Sequence, residues 1–232
     1  MNPKPNPSDD LLAFSGPVPI FPLPNCVLYP QIVQPMHIFE PRYRAMTADC
    51  LDGDQLMVLA LLKPGWETQY ETKTAPIYPV GCLSRITVSQ TLPDGRYILV
   101  VRGIARVEIQ DEIDTPNPYR VGEAIVHPDQ YAPKPRVNRS RRRNELLQRF
   151  FENHPELARH ETLGPLLREE LALGALCDLL AYSSNLCPVE AWRILQEYDV
   201  DARSDRVLQA LIERSGQHDV RGRVFPPEFS MN

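Results

Sequence analysis

Nucleophilic catalysis needs a serine, cysteine or lysine held beside a base that activates it, and this sequence offers little of that pattern. Ser183 and Ser184 fall at the expected end of a helix, no Gly-x-Ser-x-Gly string occurs, and the lysines are confined to positions 4, 63, 73 and 134. A nucleotide phosphate loop would close on Gly-Lys-Ser or Gly-Lys-Thr, and neither string is present. His37, His127, His154, His160 and His218 do not stand at metal-ligand spacing, and the five cysteines (26, 50, 82, 177 and 187) include no Cys-x-x-Cys pair. Cys177 and Cys187, beside leucines on helical positions, read as apolar thiols rather than a reactive pair. No catalytic, cofactor-binding or metal-binding residue is assigned, and the expectation is a protein that is not an enzyme.

Residues suited to recognition are easier to find. Trp66 and Tyr70 lie in the polar stretch KPGWETQYETKT, where two large rings either pin the loop to the body of the protein or offer a partner an aromatic surface. Glu40, set between Phe39 and Pro41 in an apolar stretch, needs a donor; Arg85, Arg102 and Arg106 are the candidates for a fold-locking pair, with a direct partner contact as the alternative. From Lys134 to Arg149 seven basic residues face the single acid Glu145. Arg141, Arg142 and Arg143 could hold phosphate or an acidic partner, or could simply form the solvated face of a helix.

The elements that must position these residues fall into two kinds. Between Val18 and Arg44, prolines at 19, 22, 24, 30, 35 and 41 forbid a long helix, while the apolar residues between them predict short strands pressed on a core. Pro41 opens a short helix carrying Tyr43, Met46, Ala48 and Leu51 on one face, which Gly53 ends. Leu56 to Leu62 is a continuous apolar run of strand length, expected at the centre of a sheet with both faces buried. Ile77 to Val88 reads as a bent strand, and Pro93-Asp94-Gly95 supplies the turn of a hairpin whose second arm is interrupted at Arg102-Gly103 and resumes from Ile104 to Ile109. A last strand ends near His127. Beyond the proline-rich PDQYAPKPRV the apolar period becomes helical: at Leu146, Leu147, Phe150 and Phe151; at Leu166 to Leu180; in a helix opened by Pro188 that turns Val189, Trp192, Ile194 and Leu195 inward; and in one capped by Asp201 that buries Val207, Leu208, Leu211 and Ile212.

PIFPLPNCVLYP followed by PMHIFEPRYRAM resembles the opening of the amino-terminal, substrate-binding domain of Lon proteases, including its Phe-Glu-Pro-Arg-Tyr signature at Phe39, Glu40, Pro41, Arg42 and Tyr43. VGCLSRI (Val80 to Ile86), LPDGRYILVVRGIARVEI (Leu92 to Ile109) and the stretch from Cys177 to Arg214 resemble the same domain in the same order, so nearly the whole chain is covered. The resemblance implies an α+β fold, an N-terminal β-rich pseudo-barrel (PUA-like) followed by a C-terminal α-helical bundle. In the full-length proteases it also implies a surface that captures polypeptide for an attached ATPase and peptidase. With no phosphate loop and few lysines, the chain is expected to be a stand-alone member of the family, lacking those two domains. Cereblon-type substrate receptors share the resemblance, but the paired cysteines of their zinc domain are missing here.

At 232 residues the chain is long enough to bury roughly 70–75% of its extended surface. The expected domains are a flexible N-terminus (1–16), the β-rich barrel (17–128), a Pro-rich linker (129–138), the helical bundle (139–214) and a flexible tail (215–232) with Phe225 and Phe229 between prolines. No apolar run approaches a membrane span, and no signal core or disulfide framework is evident, which together predict a cytoplasmic protein with no membrane partner. Twenty-five basic against 30 acidic residues give a net charge of −5, which disfavours nucleic acid as the general partner. The reading is a non-catalytic polypeptide-binding module, for substrate recognition or as an adaptor. Its partners are unfolded or extended polypeptide and a separate ATPase or protease. A nucleic-acid-binding module using Lys134 to Arg149 is the alternative, and a hydrolase with an unrecognised site is a third class.

Overall fold

A computed structural model describes residues 16–158, 171–215 and 230–231. The described residues fall into two compact units, 16–127 with 230–231, and 128–158 with 171–215.

The first unit is built on a sheet closed into a ring. β1 (Val18–Leu23) lies parallel to β3 (Leu56–Leu61) on one side and antiparallel to β6 (Arg120–His127) on the other. β3 pairs with β4 (Val80–Thr91), β4 with β5 (Tyr97–Ile113), and β5 with β6, which completes a five-stranded barrel. Its interior is filled by alternate residues, among them Ile20, Val58, Leu83, Ile104 and Val107. Every residue of β3 is buried, as the unbroken apolar run requires of a strand covered on both faces.

β5 is longer than the barrel needs. Its second half, Arg106 to Ile113, takes β6 on one edge; its first half, Tyr97 to Arg102, takes β2 (Val33–Ile38) on that same edge, while β4 runs along the other. A three-stranded extension, β4–β5–β2, therefore projects from the barrel. The expected interruption at Arg102-Gly103 does not occur. Gly103 is where β5 changes partner, and a Cβ there would lie 2.1 Å from the Tyr29 carbonyl oxygen, so the glycine serves a close approach of two backbones rather than a break. The β4–β5 turn does follow the sequence: Gly95 has φ +78°, its amide donates to the Leu92 carbonyl, and the Arg96 amide donates to Asp94 Oδ1.

Pro41 occupies the first turn of α1 (Pro41–Asp52). The helix buries Tyr43, Met46, Thr47 and Cys50. The polar Thr47 and the thiol of Cys50 thus take the places expected for Ala48 and Leu51, because the strict i, i+3, i+4, i+7 stripe set by Tyr43 decides which face turns inward. Tyr43 packs its ring 4.6 Å from that of Phe21. Gly53 receives the helix end, but the left-handed residue is Gln55, at φ +65°.

The second unit holds α2 (Arg139–Asn153), α3 (Pro155–Ala158), α4 (Leu173–Ser183), α5 (Pro188–Leu195) and α6 (Val200–Ser215). Leu146, Phe150, Leu176, Leu180, Leu195 and Leu211 are among its buried residues. Asp201 does not cap α6; Asp199 does, its Oδ1 accepting from the Ala202 amide, because the helix starts two residues earlier than expected. Of the residues expected to be buried on α6, Val207 and Leu211 are, Leu208 is half-buried and Ile212 is exposed. Val189 and Trp192 on α5 are half-buried, and Ile194 and Leu195 carry its inner face. Residues 129–138, expected as a linker, are bonded into this unit: Gln130 bridges Asp199, and the Arg136 amide donates to Asp201 Oδ2. Leu166, Leu167, His160, His218, Phe225 and Phe229, and the expected flexible N-terminus up to residue 15, lie outside the described residues.

Candidate functional site

Paired residues on neighbouring strands share a face of the sheet, so the register of the extension sorts its side chains. Val88 of β4 faces Val100 of β5, and Val100 faces Pro35 of β2; likewise Gln90, Ile98 and His37 form one row, and Arg102 faces Val33. The opposite parity, Met36, Ile38, Leu99 and Val101, is buried. The extension thus turns one face inward and leaves the other, with Val33, Pro35, Val88, Ile98 and Val100, toward solvent. Val33 is 50% and Val88 58% exposed, and Phe39, next in the same parity beyond β2, is 41% exposed with its ring 5.9 Å from that of His37. Half of the six large hydrophobic residues exposed among the described residues stand on this one surface, which makes it a patch rather than scattered surface carbon.

The Phe39 end of the patch leads into the signature residues. Glu40 precedes α1 in extended conformation. Its carboxylate accepts from the Tyr70 hydroxyl at 2.5 Å and from Arg42 Nε at 3.0 Å, with Arg42 Nη2 2.8 Å away. Arg42 Nη1 also donates to the Tyr70 carbonyl at 2.6 Å, and its guanidinium lies 4.5 Å from the Tyr43 ring centroid and 4.6 Å from that of Tyr70. Trp66, in the 3-10 turn Trp66–Gln69, meets the Tyr70 ring edge-on at 5.0 Å. Burial, and then the bond to Glu40, push the Tyr70 phenol up to about 12, which keeps it a donor throughout the physiological range. The donors to Glu40 are therefore Arg42 and Tyr70 rather than Arg85, Arg102 or Arg106. Arg42 is two residues away in the first turn of the same helix, and a loop that ends on Tyr70 closes over it.

Trp66 and Tyr70 are both half-buried and belong to the cluster around Glu40, the residue that follows Phe39. Arg141, Arg142 and Arg143 lie on α2 in the second unit. Arg141 is exposed and pairs with Glu145; Arg142 pairs with both Glu145 and Asp205, and Arg143 is half-buried. Arg139 binds Asp201 at 2.7 Å and Arg136 binds Asp199 at 2.5 Å. Three residues of the basic run, Arg136, Arg139 and Arg142, are thus balanced by acids of α6 and its approach, and Arg141 and Arg149 by Glu145 and Glu152 of α2 itself. The Arg139 hydrogen bond holds the Asp201 carboxyl below its ordinary value, and the Ala202 amide followed by Arg136 does the same for Asp199. Among the described residues no three His, Cys, Asp or Glu side chains are placed to hold a metal ion, and no helix is long and apolar enough to cross a membrane.

Sequence reasoning missed Val33 and Val88 as surface residues. A usable signal was present at Pro35: a proline inside a run of strand character marks an edge strand, and the residues sharing its parity are Val33 and His37.

The profile of the family described as the ATP-dependent protease La (LON) substrate-binding domain matches residues 17–213. The Lon protease of Dictyoglomus thermophilum is 25% identical over 203 residues, covering 84% of this chain and 24% of that protein; Lon protease 1 of Thermus thermophilus is 24% identical over 195 residues, with the same two shares. The chain spans about a quarter of the length of these relatives. Among solved structures, the N-terminal domain of the Mycobacterium avium complex Lon protease superposes with a TM-score of 0.64 at 18% identity, over 88% of this chain and all of that one. The Lon N-terminal domain protein from Xanthomonas campestris gives 0.60 at 23% identity, over 83% of this chain and 97% of that one. The fold is that of these domains, and with the family profile spanning both units the chain belongs to the Lon substrate-binding domain family.

Proposed function

We propose that this protein binds unfolded or extended polypeptide and does so without cleaving it, using the exposed face of the β4–β5–β2 extension. The observation that carries the reading is the clustering of Val33, Val88 and Phe39 on one surface beside an edge strand. Apolar side chains on a rigid sheet can hold a disordered segment by area alone, while the outer side of β2, which Ser230–Met231 lines in this structure, offers main-chain bonds that any sequence can use once that segment leaves. Trp66 and Tyr70, with the Phe39 to Tyr43 signature, form the flank of this surface. Affinity on the order of micromolar suits a domain that must also release what it holds. A separate ATPase or protease that receives the captured segment is the partner class the reading implies.

Fluorescence anisotropy with labelled, reduced and carboxymethylated lactalbumin tests it directly. The full chain should bind with little change between low and moderate salt, generate no new peptide ends, and lose about tenfold in affinity in the double variant Val33→Ser, Val88→Ser, since each removes exposed carbon that a bound segment would cover, worth roughly 0.8 kcal/mol per methylene. Thermal melting of that variant should stay within a few degrees of the parent. Binding of single-stranded RNA that collapses with added salt, together with unaltered lactalbumin binding in the double variant, would replace this reading with a nucleic-acid one.

A further inference from the structure

β2 is the last long strand of the extension, with only a two-residue strand beyond it, and its peptide groups can be sorted by the bonds at its start. The Gly103 amide donates to the Ile32 carbonyl at 2.8 Å and the Gln31 amide to the Gly103 carbonyl at 2.9 Å. Antiparallel alternation from that point turns the peptide groups of Gln34, Met36 and Ile38 toward β5 and those of Val33, Pro35 and His37 outward. The amide that Pro35 lacks therefore belongs to the outer edge, where a sheet tolerates proline. Along this edge lies β7 (Ser230–Met231), parallel to β2, with Ser230 beside Met36 and Met231 beside His37. The pairing uses the part of the edge past Pro35, where His37 supplies the outward donor that the proline cannot. A strand shifted toward Val33 would face the proline instead, so the docking stretch is short by design of the sequence.

We infer that the outer edge of β2, from Pro35 to Ile38, is a strand-docking site whose resident occupant is the chain's own segment Ser230–Met231, and that incoming polypeptide competes with this segment for the edge. The side chains of Val33, Pro35 and His37 belong to the exposed apolar face, so a strand added here widens that face by one row. Recognition through main-chain bonds with alternate side chains on an apolar sheet tolerates many sequences. It also lets a resident segment and an unrelated extended segment exchange. Competition by incoming polypeptide rests on the capture reading above; docking of the resident segment does not.

Amide exchange followed by NMR on the full chain separates the two. In the variant Ser230→Pro, which removes the amide that faces β2, the His37 amide should exchange at least about tenfold faster while that of Leu99, in the buried row of β5, is unchanged. A synthetic peptide of residues 225–232, FPPEFSMN, added to the variant should restore protection at His37. The labelled lactalbumin should bind the variant several times more tightly than the parent. Equal His37 exchange in parent and variant would overturn the docking, and equal lactalbumin affinities would overturn the competition. If neither protein binds lactalbumin, polypeptide capture fails and the competition with it, and His37 exchange still decides the docking.

Discussion

Glu40 illustrates how much of a residue's role is set by groups that sequence distance conceals. Its carboxylate is nearly buried and accepts from Tyr70, 30 residues on, and from Arg42, two residues on. A hydrogen bond to a charged acceptor contributes about 1.5–3 kcal/mol when the acceptor is shielded from water, so Tyr70→Phe should lower stability by about 1.5 kcal/mol, read as a shift in the urea midpoint. Glu40→Ala should cost more, because it strands Arg42 among aromatic rings. The double variant should fall short of the sum of the two, as residues sharing one bond must; strict additivity would show that the Tyr70–Glu40 bond contributes nothing. That Glu40 had to be paired was legible from its apolar neighbours. Its partner was not, since any of several arginines satisfies the same electrostatic demand.

Elements carry two further expectations. The α2–α6 pair is fastened by Arg139 on Asp201, whose side chain is 1% exposed. A carboxylate held below its unfolded value stabilises the fold above that value, about 3.9, and ceases to do so as pH falls through the lower folded value. The helical unit should therefore lose stability below about pH 4, with Asp199 acting in the same direction. Asp201→Asn should cost about 1.5 kcal/mol at neutral pH by urea denaturation, and its gap from the parent should narrow in acid; a gap independent of pH would mean that the charge is not what binds these helices. In the barrel, Gly103→Ala places a methyl against the Tyr29 carbonyl, which backbone cannot yield cheaply. A loss of about 3 kcal/mol is expected from such overpacking, measured by thermal melting. Helix and strand identity were readable from period and proline placement, and the β4–β5 turn from Pro93-Asp94-Gly95. The continuity of β5 was not, because glycine within a strand signals a break and a close backbone approach with the same letter.

For the molecule as a whole, charge distribution bears on partner choice. Arg136, Arg139 and Arg142 are already matched by Asp199, Asp201 and Asp205, and Arg141 by Glu145. Arg141→Glu is expected to leave lactalbumin affinity unchanged within about twofold and stability within about 0.5 kcal/mol, as for exposed pairs generally; a large loss of binding would move the recognition surface to the second unit. What the sequence by itself determined was local: where the chain must be extended or helical, where it turns, that nucleophile, phosphate-loop and metal patterns are missing, and, through the Phe39 to Tyr43 signature, which family to expect. The conformational preferences follow from steric rules acting over a few residues, and the family expectation from the resemblance of short motifs. Only the tertiary structure decided that β5 outruns β6 and recruits β2, that Val33, Val88 and Phe39 thereby share a solvent-facing surface, and that Ser230–Met231 pairs with the remaining edge. Strand partners and register arise from contacts between distant segments, and no local pattern of side chains specifies them.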